Sequence, residues 1–144
     1  NLYSVEACEK FFIEAEMFWE MKNTKNKLHL LNGTLHKNIP NFEANNPTFV
    51  KEWYDGEKRT IINAKLLNID YINDVDFIII DGGEYTAQGD YNVLIQKNPK
   101  YVAMDDINCY KCNNIREQLL NSSDWQIYRE NTDERNGWSI FVKK

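Results

Sequence analysis

The sequence predicts an α/β protein with a mostly parallel sheet flanked by helices and a carboxyl-terminal antiparallel hairpin. Three observations carry this. Strand-like and helix-like stretches alternate, an apolar run rich in β-branched residues stands at Phe77 to Ile80, and an Asn-Gly turn separates the last two apolar runs. Helical crossovers are the usual way to join parallel strands. A length of 144 residues suits one cored domain, and no linker, repeat or low-complexity segment divides residues 1–144.

Leu2-Tyr3-Ser4-Val5 reads as a first short strand. From Cys8 onward, Phe11, Phe12, Ala15, Phe18 and Trp19 recur at three-and-four spacing. Glu9, Lys10, Glu14, Glu16 and Glu20 are left to solvent, as in a crossover helix packed on a sheet. Lys27 to Leu31 reads as a second strand that ends at Asn32-Gly33-Thr34. Asn45-Asn46-Pro47 looks like a helix start, with Phe49, Val50, Trp53 and Tyr54 as its apolar face and Asp55-Gly56 as its stop. A further short helix is expected from about Glu57 to Leu67.

Val75-Asp76-Phe77-Ile78-Ile79-Ile80 then predicts a central parallel strand covered on both faces, because no polar residue alternates within its apolar run. A helix from about Thr86 to Lys97 should carry Tyr91, Leu94 and Ile95 inward and end before Asn98-Pro99. Tyr101 to Met104 is the next buried strand, closed by Asp105-Asp106. Lys111 to Leu120 is the last helix, with Ile115 and Leu119 one turn apart. Trp125 to Glu130 and Trp138 to Val142 form the hairpin around Asp133-Glu134-Arg135-Asn136-Gly137.

With 42% hydrophobic and 27% charged residues, the chain is neither disordered nor fibrous. A net charge of -5, spread along the row, makes a nucleic acid or an anionic membrane a poor partner and a small molecule the better one. No apolar run approaches the ~20 residues of a membrane-spanning helix, and no basic stretch leads into an apolar one at the start, so a cytoplasmic location is expected. The chain opens on Asn1 and enters a strand at once, so a domain truncated at its amino terminus is expected.

Cys8, Cys109 and Cys112 are an odd number, which argues against a closed disulfide framework. Cys109 and Cys112 have redox or zinc spacing. A structural zinc site needs four ligands, however, and only His29 and His36 remain to help Cys8, so ordinary thiols are expected.

In an open parallel sheet, ligands bind at the carboxyl ends of the strands, where loops and helix amino-termini converge. Those ends are Glu6-Ala7, Asn32-Gly33-Thr34, Asp81-Gly82-Gly83-Glu84 and Asp105-Asp106. Glu6 is placed either to accept hydrogen bonds from the two hydroxyls of a ribose or to meet the amino-terminus of the next helix. Asp81, Asp105 and Asp106 would repel one another unless offset, so they suit a hard divalent ion, or else they cap helices or contact a cofactor.

The order Leu-Tyr-Ser-Val-Glu-Ala, Leu-Leu-Asn-Gly-Thr, Asp-Phe-Ile-Ile-Ile-Asp-Gly-Gly-Glu, Asp-Asp-Ile-Asn and Asp-Glu-Arg-Asn-Gly-Trp-Ser-Ile-Phe resembles the class I S-adenosylmethionine-dependent methyltransferases, and most of all their small bacterial and viral members. The resemblance implies a Rossmann-like sheet and methyl transfer from S-adenosylmethionine to an oxygen of a small molecule or sugar. It implies Glu6 and Ala7 at the cofactor ribose, Asn32, Gly33 and Thr34 near the adenine, and Asp81 and Gly82 facing the methionine moiety or the acceptor. Metal-dependent members would further imply a divalent ion, such as Mg²⁺, on Asp81, Asp105 and Asp106, with Asp81 and Asp106 catalytic through it. The family's first strand and Gly-rich loop should stand before Leu2, and this row does not contain them. Two other readings stand beside this one, the first motivated by that gap and the second by the fit of Glu6 to the ribose of a nicotinamide cofactor, which the same gap weakens. One is a non-catalytic Rossmann-like assembly module that forms a homo-oligomer or takes a partner; the other, weaker, is a nicotinamide-dependent enzyme.

Overall fold

A computed structural model describes residues 1–22, 28–47 and 49–144. In chain order it contains β1 (Leu2–Glu6), α1 (Glu9–Lys22), β2 (Leu28–Asn32), α2 (Lys51–Asn63), β3 (Phe77–Ile80), α3 (Ala87–Leu94), β4 (Tyr101–Asp105), α4 (Tyr110–Leu120), β5 (Trp125–Asn131) and β6 (Trp138–Lys143). A 3-10 turn, Ile95–Lys97, extends α3. Lys27, expected to open the second strand, lies outside the described residues.

The architecture is mixed α/β, and the strands form two sheets rather than one. β1 and β2 pair in parallel, with Glu6 opposite Asn32. The second sheet runs β3-β4-β6-β5; β3 and β4 are parallel, and β6 lies antiparallel between β4 and β5. The hairpin is therefore as expected, its turn carried by Gly137 at φ 73°.

β3 corrects the expectation of a central strand, since it is the edge of its sheet. Ile78 and Ile80 join Val102, Met104, Phe141 and the α4 residues Ile115 and Leu119 in the main core. Phe77 and Ile79 point the other way and are 45% and 62% exposed. An unbroken apolar run shows that neither face is polar; it does not show that both are covered.

α2 corrects the expected break at Asp55-Gly56, because the helix runs through both residues. A single Gly costs a helix only ~1 kcal/mol, and Tyr54 and Ile61, seven residues apart on one face, are both buried. Asn45-Asn46-Pro47 lies in the turns before the helix, and no second helix reaches Leu67. The end at Asn63 has a cause in space: the Lys37 ammonium donates to the carbonyls of Ile61 and Ile62 at 2.6 and 3.0 Å and to that of Ala64.

After that end the chain crosses the segment just past β2, where Thr34 and Leu66 form a parallel bridge. Gly33, at φ 153°, is required there, because a Cβ would strike the Lys65 carbonyl and the Leu67 side chain. α1 covers β1 and β2 with a narrower stripe than expected: Phe12, Ala15 and Trp19 are half-buried, whereas Phe11 and Phe18 are exposed. Among the described residues, no helix is long and apolar enough to cross a membrane.

The single covered face of the larger sheet gives a contrast that substitution can read. Ile115→Ala removes a fully buried side chain and should cost about 3 kcal/mol, whereas Ile79→Ala should change stability by less than about 0.5 kcal/mol. Urea unfolding of the two variants checks this, and equal losses would mean that the outer face of β3 is covered.

Candidate functional site

β3 and β4 run parallel with Ile80 opposite Met104, so Asp81 and the Asp105-Asp106 pair leave the sheet at the same end. One oxygen from each of the three carboxylates lies within 4.8 Å of the others. The Lys111 ammonium sits among them, 2.6 Å from Asp81 Oδ1 and 3.0 Å from Asp106 Oδ2, on a side chain only 8% exposed. Arg135 closes the outer side, its Nη2 lying 3.2 Å from Asp105 Oδ2 and 3.4 Å from Asp106 Oδ1. Asn136 Nδ2 donates to the same Asp106 oxygen at 2.9 Å. Asp106 reaches these partners from the left-handed region, at φ 57°, where Asp is one of the residues best tolerated.

Burial pulls the Lys111 ammonium toward neutrality, but the hydrogen bonds and charges of Asp81 and Asp106 outweigh it and hold its pKa above the ordinary range. Burial likewise pushes the Asp106 carboxyl up. The Asn136 hydrogen bond and the nearby Lys111 and Arg135 outweigh that and leave it below its usual 3.8. The corner is thus a network of fixed charges. Capping, the alternative use of these Asp side chains, is not made: Thr86 and Cys109 stand at the caps of α3 and α4, and neither cap has a side-chain hydrogen bond.

The loop after β3 is held by Glu57 of α2. Its carboxylate accepts the amides of Glu84 and Tyr85 at 2.5 and 2.9 Å, just before α3 begins. Burial pushes the Glu57 carboxyl up, partly offset by those two amides. Gly83 permits the approach, since a Cβ there would sit 2.5 Å from Glu57 Oε2. Gly82 similarly leaves room for the Asp90 carboxylate.

His36 ties the two sheets together. Its Nε2 lies 3.0 Å from the Thr86 carbonyl and 3.4 Å from Asp90 Oδ1, and its Nδ1 accepts the amide of Asn38 at 3.1 Å. The neutral tautomer with a proton on Nε2 satisfies all three contacts. Thr34 Oγ1 donates to the His36 carbonyl at 2.9 Å, and the His36 ring fastens this segment, which follows β2, to the start of α3, which follows β3.

At the end of β1, Glu6 Oε1 accepts the Cys8 amide at 2.7 Å, the helix-terminus contact weighed for it from sequence. The Glu6 carbonyl accepts the Gly33 amide at 2.9 Å. Gly33 and Thr34 are buried in the crossing with Lys65 to Leu67, whereas Asn32 is exposed and Ala7 half-buried beside Glu6. Of the residues expected near a cofactor, Glu6, Ala7, Asn32, Asp81 and Gly82 therefore present accessible atoms, and Gly33 and Thr34 serve packing.

A cleft of about 500 Å³ opens beside the acidic corner, between α3, α4 and the Asn38-Ile39-Pro40 segment. Lys111 and Glu84 belong to both cleft and corner, and Tyr85 and Tyr110 form one wall. Those two rings rest on Phe49, at centroid distances of 4.8 and 4.7 Å. Lys111, Glu57, His36, Asp90 and Arg135 were not picked out by sequence reasoning as functional residues. Each acts across 27 to 50 positions or through an irregular turn, and no local spacing marks them. The three cysteines are free thiols, and burial pushes that of Cys112 up to about 12.

The depressed Asp106 pKa fixes the sign of an acid effect. Its contribution is complete above the unfolded value near 3.8 and is lost as pH falls through the lower folded value. Asp106→Asn should therefore be less stable than the unaltered chain at neutral pH, and the two urea midpoints should converge as pH drops below 3.8. A constant gap across that range would refute the assignment.

No family model matches this chain, and no curated protein matches it.

Proposed function

We propose that the chain is a Rossmann-like domain of the class I S-adenosylmethionine-dependent type, transferring a methyl group to an oxygen of a small molecule or sugar. The observation that supports this reading is a chain of contacts that links the strand ends of the two sheets. The Glu6–Asn32 corner continues through Thr34 and His36 to Thr86 and Asp90, beside Gly82 and the Asp81–Lys111–Asp106 corner. The resemblance also expects a central strand that the described residues do not supply. In keeping with that, the strands fall into two sheets, with β1 and β3 each at an edge.

The donor, when bound, supplies an activated methyl group, whose transfer needs an in-line oxygen more than it needs acid or base chemistry on the protein. Glu6 keeps Oε1 on the Cys8 amide, and its other oxygen can accept from ribose hydroxyls. Ala7 leaves space next to it, and Asn32 offers an amide from the paired strand. At the other corner, Asp81 and Asp106 hold the ammonium of Lys111, a residue that lines the cleft, and an acceptor hydroxyl losing its proton beside it would meet fixed positive charge. Asp81, exposed on its outer side, can accept a hydrogen bond from that hydroxyl and orient it. The metal-dependent variant does not fit these side chains, because Lys111 and Arg135 already engage all three carboxylates.

Isothermal titration with S-adenosylhomocysteine tests the reading. Saturable binding is expected, weakened about tenfold or more by Glu6→Ala, the loss of hydrogen bonds to a charged acceptor. A folded chain that gives no heat at millimolar ligand would overturn it.

One observation favours the assembly module instead. Phe77, Tyr101 and Tyr128 form a continuous row on the uncovered face of the larger sheet, with ring centroids 6.1 and 5.8 Å apart, and Ile79 lies on the same face. On that reading, sedimentation velocity shows concentration-dependent self-association that Ile79→Lys abolishes; a monomer at every concentration removes it.

A further inference from the structure

We infer that the cation of the acidic corner is the Lys111 ammonium itself, and that this chain works at that corner without a divalent metal ion. The occupancy stands on geometry alone; only its use toward an acceptor rests on the methyl-transfer reading above.

A divalent ion held by Asp81, Asp105 and Asp106 would need their oxygens at about 2.0 to 2.6 Å, converging on one point. Four of the six carboxylate oxygens are engaged by this chain's own side chains. Asp81 Oδ1 and Asp106 Oδ2 both accept from Lys111, while Asp106 Oδ1 accepts from Asn136 and faces Arg135, which also engages Asp105 Oδ2. An ion between Asp81 and Asp106 would have to stand where the ammonium stands, and two cations cannot share that space.

Nor is the lysine free to leave. It sits in the first turn of α4, its backbone amide is 3.3 Å from Glu84 Oε1, and the next residue, Cys112, is fully buried. Swinging the side chain out would leave Asp81 and Asp106 facing each other without the cation between them, with only Asn136 and Arg135 still on Asp106. Carried by a residue that lines the cleft, the ammonium can do what a metal does for a hydroxyl nucleophile, stabilising its anion, but it neither exchanges nor responds to chelators.

Mn²⁺ binding, followed by loss of the free-ion electron paramagnetic resonance signal, tests this without any cofactor. The unaltered chain should take up no Mn²⁺ at this corner at millimolar ion. Lys111→Met, which keeps the bulk of the stem and removes the charge, should gain one Mn²⁺ site that a further Asp106→Asn abolishes. Mn²⁺ uptake by the unaltered chain that Asp81→Asn removes would overturn the inference. So would a folded Lys111→Met protein that binds no ion. If that variant does not fold, paramagnetic broadening of the Asp81 and Asp106 amides in the unaltered chain decides: absent broadening upholds the inference, and broadening refutes it. A failure of S-adenosylhomocysteine to bind would sink the functional reading and leave this result untouched. Should it bind, its affinity is expected to be the same with and without EDTA.

Discussion

The structure turns on a buried ammonium. Lys111 reaches from the first turn of α4 to the ends of β3 and β4 and fixes the distance between them, because Asp81 and Asp106 can lie this close only with a cation between them. The same contact sets where α4 enters the fold. Cys112, Ile115 and Leu119, on the residues that follow, then pack against the covered face of the larger sheet. A charge interaction at the rim and apolar burial beneath it thus locate the same helix, and neither could be altered without moving the other.

The opposite face of that sheet obeys no comparable constraint. Its residues are apolar, yet Phe77, Ile79 and Tyr128 stand largely in water, while their strand neighbours Ile78, Ile80 and Val102 are almost wholly removed from it. Burial of about 25 cal/mol per Å² makes covered residues the source of stability, so this layer is held from one side. The smaller sheet is attached differently: Tyr3 and Leu31 share a cluster with Ile69, Ile72 and Val75, and His36 adds a polar fastening to α3.

Order and type of the elements were legible in the sequence wherever periodicity was local. The strand at Val75 to Ile80, the helix carrying Ile115 and Leu119, and the Asn136-Gly137 hairpin needed only near neighbours to declare themselves. What failed depended on distant ones. Asp55-Gly56 did not end its helix because buried Tyr54 and Ile61 hold both sides of it, and the true end is capped by Lys37, more than 20 positions earlier. β3 came out as an edge because coverage of a face is a property of the assembled layers. At the site, the acidic residues were visible as types at strand ends, but their partners were not. A lysine five positions after Asp106 carries no signature of a cation that will fill the gap between two strands.

That difference bears on how such corners should be read. Three clustered carboxylates state a charge problem, and a chain can solve it with an external ion or with its own side chains. The two solutions differ in consequence, since a bound ion is lost to chelation and to competing metals, whereas a tethered ammonium is lost only when the helix bearing it moves. Here the helix is anchored by residues with no exposed surface, and Arg135 and Asn136 close the remaining side from the hairpin turn. The stability of the core and the electrostatics of the rim are therefore one design: whatever loosens α4 also exposes the carboxylates to each other. The position of the ammonium is set by the packing underneath it rather than by the solution outside.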